Sequence, residues 1–262
     1  MEDDITKGIV DKADGVLVEV YKDAVSPIIK PIGEILGFLP RSLKLALSGW
    51  EKWLINGEET IRLTAEAVRE KLQAIPAEKL SEPESYVAIP IMQQLSYCVN
   101  NDELRDLYAN LLVSSMNTDK KWQVHPAFVD IIKQLTPDEA KFIKALTPNV
   151  SVNNPLIDVR IENKETHGGS TIIYNFTNVG IDKIDLPKNI CSYVDNLERL
   201  KLIVIPPTMS LVNKELYKPL ISHPLLINSL PKTLNEGCEI SYEYKVFCLT
   251  NFGADFINVC CR

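Results

Sequence analysis

No stretch of 18 uncharged apolar residues runs through the 262-residue chain, so the sequence offers no plain membrane-spanning helix. The nearest approach, Ile28 to Leu47, is broken by Lys30, Glu34, Arg41 and Lys44. Histidine is scarce at three residues, and none of the six cysteines belongs to a Cys-x-x-Cys pair, so neither a metal site nor any other cofactor is expected. No Gly-rich loop ends in Gly-Lys-Ser or Gly-Lys-Thr, which removes the P-loop way of cradling phosphate. No Gly-x-Ser-x-Gly elbow lifts a serine into a nucleophile's position; Gly168-Gly169-Ser170 reads as a hairpin turn. With no catalytic motif in view, the expectation is a protein that is not an enzyme. A basic excess is missing too. The 28 Lys and Arg against 35 Asp and Glu give a net charge of −7, which argues against a general electrostatic hold on nucleic acid or anionic lipid. No secretory segment opens the chain, so reduced thiols and a cytoplasmic location are expected, with the adjacent Cys260-Cys261 accessible to oxidation near a chain end.

What is present is ample apolar material, 45% of residues, enough for one or two globular domains. Residues 1–25 carry an apolar stripe at helical spacing, opposed by a face with seven acids and three lysines. Further helical periodicity follows from Pro40 to Ile75, where Pro76 stops it. An apolar-rich stretch from Tyr86 to Cys98 contains Pro90, a residue that a helix tolerates in its first turn. Asn101 is an N-cap for a helix carrying Leu104, Leu107, Tyr108, Leu111 and Leu112, and His125-Pro126 opens a short helix through Leu135. Thr136, Pro137 and Glu139 form the signature of a capping box at the start of the next helix.

Beyond Pro148 the period changes from 3.6 to 2. Ile157, Val159 and Ile161 alternate, the turn His167-Gly168-Gly169 intervenes, and Ile172, Tyr174 and Phe176 alternate again, which makes a β-hairpin candidate. Asn189 to Leu202 returns to helix, Ile203 to Ile205 is a short strand, residues 208–238 form a proline-interrupted excursion, Ile240 to Cys248 is a strand, and Thr250 caps a last helix. The expected fold is α+β: an all-helical half over residues 1–135 and a winged-helix-like α+β domain with a β-hairpin insertion over residues 136–262. The wording Asn196-Leu-Glu-Arg-Leu-Lys-Leu-Ile203 and Tyr244-Lys-Val-Phe-Cys-Leu-Thr-Asn-Phe-Gly-Ala-Asp-Phe256 resembles the recognition helix, wing and final helix of bacterial winged-helix domains.

The stretch Asp102-Glu-Leu-Arg-Asp-Leu-Tyr-Ala-Asn-Leu-Leu112, followed by His125-Pro-Ala-Phe-Val-Asp-Ile-Ile-Lys-Gln-Leu-Thr-Pro-Asp-Glu-Ala140, is similar to the signature of the bacterial abortive-infection alpha family. The resemblance spans roughly residues 40 to 260, with its specific wording in 76 to 146, and implies a role in defence against bacteriophage. It supplies no catalytic residues to carry over.

Within the family-like region, Arg105, Asn110 and His125 are the candidates for an interior polar network or a binding surface, since a buried Asn or His needs partners. Asp102 and Arg105 read first as a weak i,i+3 pair at a helix start. A nucleic-acid patch would draw on Lys183, Lys188, Arg199 and Lys201, but residues 137–262 hold 13 basic and 14 acidic side chains, so DNA binding is not favoured. Residues 25–53, net +2 and apolar, are the segment through which a membrane surface would be met. The expected partner is another protein or a second copy of the chain.

Overall fold

Asn101 begins the central helix as the sequence requires: its side chain accepts the Leu104 N–H, and Asp102 and Glu103 occupy the positive end of the helix dipole. The structure, a computed structural model, describes residue 63, residues 67–95, residue 98, residues 101–146 and residues 153–262. The stripe over residues 1–25 and the segment 25–53 lie outside the described residues. Residues 67–73 are helical, and a 3-10 turn, Ala77–Lys79, follows Pro76. The named helices are then α1 (Ser85–Leu95), α2 (Asp102–Met116), α3 (Ala127–Lys133) and α4 (Pro137–Ala145). Pro90 lies in the interior of α1, not in its first turn, because the helix starts at Ser85. From Leu107 to Met116 every residue of α2 is buried, since the other helices and the end of the chain surround it. At α4 the capping box closes: Glu139 donates its N–H to Thr136 Oγ1 over 3.2 Å, and the Thr136 N–H reaches Glu139 Oε2 over 2.6 Å.

Strands β1 (Asn154–Asn163) and β2 (Gly169–Phe176) form the expected hairpin; α5 (Ile190–Arg199), β3 (Ile203–Val204), the short helices α6 (Lys218–Ile221) and α7 (Pro224–Ser229), β4 (Cys238–Leu249) and α8 (Asn251–Phe256) follow. The sheet is antiparallel with order β2-β1-β4-β3, so β1 pairs with both its hairpin partner and β4. The excursion that reads as polar in sequence therefore contains two helices, and its Tyr217, Leu220 and Leu226 are buried.

The alternation of β2 does not carry through the hairpin. Ile157 faces Phe176, but Val159 faces Ile173 and Arg160 faces Thr171, so β2 carries extra residues as bulges. Asn175 takes φ of 55° and donates its N–H to Asp158 Oδ1 over 2.8 Å. The bulges turn Ile172 and Tyr174 to solvent, and Ile173 packs inward in their place. They also interrupt the outer edge of the sheet, which discourages strand addition there.

The two faces of the sheet are covered differently. Phe247 meets Phe142 of α4, and Lys245 pairs with the buried Asp158 over 3.1 Å while also donating to Asn175, whose amide reaches Asp195 of α5. On the other face the excursion closes over the strands: the Tyr217 ring packs tilted against Tyr244 with centroids 4.7 Å apart and its hydroxyl donates to the Lys245 carbonyl, and His223 lies against Phe176. Thr250 caps α8 by accepting from Gly253, and a Cβ on Gly253 would come within 1.9 Å of the Leu202 carbonyl, so only glycine lets α8 approach the end of α5 and β3 this closely. The chain then ends in a π-helical turn, Ile257–Cys261, packed on α2. One apolar cluster runs from Val68 to Cys260 across both the helical portion and the strand-bearing portion.

Candidate functional site

Glu103, Asp106, Asn110 and Ser114 recur at steps of three and four, which places four polar side chains on one line along α2, and Asn117 follows as its C-cap. Near the N-terminal end, Lys144 of α4 sits between Glu103 and Asp106 at 2.9 Å from each, and Lys71 reaches the other oxygen of Asp106, also at 2.9 Å. Burial alone would raise the Asp106 pKa, but the two lysines outweigh it and hold the carboxyl below its usual range. Lys144 is penalised by burial and still held above its ordinary value by the same two carboxylates. This end is a positioned, charge-balanced group.

Further along, the stripe receives the end of the chain. Asn110 donates to the Cys260 carbonyl at 2.8 Å and Ser114 to the Val259 carbonyl at 2.9 Å. Lys120, just past α2, donates to the Asn258 carbonyl at 3.0 Å and to the main-chain oxygen of Arg262 at 3.4 Å. A helical end leaves its last carbonyls without intrahelical partners, and α2 supplies side-chain donors for them. Gln123 completes the clasp with a 2.9 Å bond to Asp255.

Two clefts include residues of the stripe in their walls. One, of about 610 Å³, is lined by Glu103, Lys141, Lys144, Gly180, Asp182 and Lys183. Gly180 takes φ of 66°, and a Cβ there would meet Ala145 at 2.8 Å, so the turn rests directly on α4. Its lysines are engaged, Lys141 with Asp185 and Lys183 with Asp182. The other cleft, of about 330 Å³, is lined by Lys71, Asn110, Ser114, Asn117, Lys120 and Arg262.

Of the candidates read from sequence, Asn110 alone lies in this seam. Arg105 pairs with Asp102 one turn earlier, the helix-start arrangement its spacing suggests. His125 is exposed; its Nδ1 accepts the Ala127 N–H and its ring meets Phe252 edge-on at 5.5 Å. The three do not form one network. Lys183 and Lys188 precede α5, whereas Arg199 and Lys201 lie at its far end, a separation of about 15 Å along a helix of this length. Arg199 is engaged with Asn196 and Gln134. The rest of the polar stripe is not among the sequence candidates, although the 3-4-4 spacing of Glu103, Asp106, Asn110 and Ser114 is the available signal.

The thiols offer no activated nucleophile at positions 98, 191, 260 or 261. Burial pushes all four up, Cys191 to about 11 and Cys261 to about 12. Cys260, expected to be accessible, is fully buried against α2, because the terminal turn is folded into the core. Among the described residues, no three His, Cys, Asp or Glu side chains gather as a metal-ligand set.

The family model described as abortive infection alpha matches residues 56–260, a span that holds both clefts' main walls and the clasp from α2 to Cys260. The chain belongs to the abortive infection alpha family. No curated protein sequence matches this family member. Among solved structures, an uncharacterized protein from the hydrocarbon-degrading marine bacterium Alcanivorax borkumensis SK2 is similar at 18% identity and a TM-score of 0.33, covering 54% of this chain and 94% of that one. For the abortive infection alpha chain described here, the polar stripe and the clefts it helps to line are thus features of the family-matched region.

Proposed function

We propose that this member of the abortive infection alpha family is a non-enzymatic, cytoplasmic phage-defence protein that acts through contact with another protein or with a second copy of itself. The observation that carries this reading is apolar exposure on the connection between β3 and β4: Val212 is 99% exposed, and Ile227, Leu216 and Met209 stand about half in solvent. Large exposed aliphatic side chains grouped on one excursion are a feature of interaction surfaces. The order α4, α5, β3, long connection, β4 supports a winged-helix-like use of this half, with β1 and β2 inserted between the first two helices and the connection serving as the wing.

A DNA-reading role has less support. The outward residues of α5 include Ser192, Asp195 and Arg199, and an acidic side chain facing a phosphate backbone opposes the main source of affinity. For the membrane role, no helix among the described residues is long and apolar enough to cross a bilayer.

A photo-crosslinking amino acid at position 212 tests the proposal during phage infection. A discrete product joining the chain to another protein, or to itself, is expected from position 212 and not from the exposed position 188. Absence of any product from position 212 would overturn the proposal.

A further inference from the structure

Two helices begin alike, with His125-Pro126 ahead of α3 and His223-Pro224 at the start of α7. Proline has no N–H, so the first amide that needs an acceptor lies two residues past the histidine. In both places the histidine supplies it: Nδ1 of His223 accepts the Leu225 N–H at 3.3 Å, and Nδ1 of His125 accepts the Ala127 N–H at 3.1 Å. An imidazole nitrogen accepts only while it carries no proton, so both contacts require a neutral ring. The side-chain caps from Asn101, Thr136, Asn213 and Thr250 are amides and hydroxyls, which do not titrate between about pH 5 and 8, the range in which histidine changes charge.

The surroundings distinguish the two. The His125 ring meets Phe128 of α3 and Phe252 of α8, helices that carry the carboxylates Asp130 and Asp255. The His223 ring lies against Phe176 of β2 with centroids 5.9 Å apart, and neither β2 nor α7 carries a charged side chain. Tyr174, the titratable residue of β2, is exposed, and Lys218 of the preceding α6 is paired with Glu215. A proton on His223 therefore meets no carboxylate from these elements, stands at the positive end of a helix, and removes the acceptor for Leu225. Leu226, next along, is buried, whereas Ile227 is half exposed, so the first turn of α7 anchors the connection beneath its apolar surface. We propose that His223 makes the connection between β3 and β4 pH-sensitive: the neutral ring closes the first turn of α7, and protonation opens that turn and loosens the Leu226 anchor. The cap is made at neutral and higher pH and lost as the ring takes up its proton. This hold on α7 stands whether or not the apolar surface above it meets a partner.

Hydrogen exchange of the Leu225 amide, read by NMR on the full chain carrying isotope-labelled leucine, tests this at about pH 7.5 and about pH 5.5, with each rate divided by the intrinsic rate at that pH. In the wild type, protection is expected to fall about fivefold at the lower pH, the size of one lost N-cap. His223→Asn keeps a side-chain acceptor that does not titrate, and should hold protection equal at the two pH values. His167→Asn, at an exposed turn, should behave as the wild type. Circular dichroism shows whether each variant is folded; if His223→Asn does not fold, His223→Ser supplies the same comparison. Equal protection at both pH values in the wild type, or an acid loss as large in the folded cap variant, would overturn the proposal.

Discussion

Asn110 in the middle of α2 donates a 2.8 Å hydrogen bond to the carbonyl of Cys260, a residue 150 positions further along the chain. The bond is buried, and Ser114 on α2 and Lys120 just past it do the same for the Val259 and Asn258 carbonyls, so the terminal turn is held by side-chain donors as well as by apolar packing. Helix α2 thereby joins the two portions that the sequence separates near Thr136.

Replacing Asn110 by Ala leaves the Cys260 carbonyl buried and without this donor. The expected cost is about 1–3 kcal/mol, read as a lower urea midpoint with little change in slope. The double variant Asn110→Ala, Ser114→Ala should cost more than either change alone, and limited proteolysis should then release the C-terminal residues first. An unchanged midpoint would mean that packing alone holds the turn.

Gly253→Ala forces a methyl group into the Leu202 carbonyl, where a Cβ would stand at 1.9 Å. Neither partner is the far end of a flexible side chain, so α8 must move away from β3. The expected loss is about 1–3 kcal/mol, seen as a lower melting temperature; Gly168→Ala, with its nearest neighbour at 3.5 Å, is the comparison expected to change little.

Asp138 gives the acid dependence a named source. Burial would raise its pKa, but the N–H groups of Asp185 and Leu186 and the Tyr193 hydroxyl favour the carboxylate and bring the pKa below its usual value. A carboxyl whose pKa is depressed by folding stabilises the folded state above its unfolded pKa, about 4, and that stabilisation fades as pH falls through the folded value. Asp138→Asn should therefore reduce stability at neutral pH and flatten the acid limb of a melting-temperature profile. A variant whose acid limb is as steep as the wild type's would assign that limb to other carboxylates.

Local chemistry was legible in the sequence wherever it acts within a few residues. The caps at Asn101, Thr136 and Thr250 all form, and Ile190, Tyr193, Val194, Leu197, Leu200 and Leu202 all turn inward as their spacing requires. Long-range partners were not legible. The phase change in β2 depends on Asn175 meeting Asp158, and the burial of Cys260 depends on donors 140 or more residues away. The helices of the excursion have four and six residues, too short for periodicity to register. In the candidate site, Asn110 stood out as a polar residue among leucines, whereas Lys71, Lys144 and Lys120 come from other segments and carry no local sign of their meeting.

The most direct measurement of the defence role is phage infection of cells carrying wild-type protein or the double variant Val212→Lys, Leu216→Lys. Both positions are exposed, so the variant should match the wild type in melting temperature and soluble yield. The expected result is that wild-type protein reduces phage release, with loss of the infected cells, and that the variant loses this protection. Equal protection by a folded variant present at the same level would contradict action through this surface.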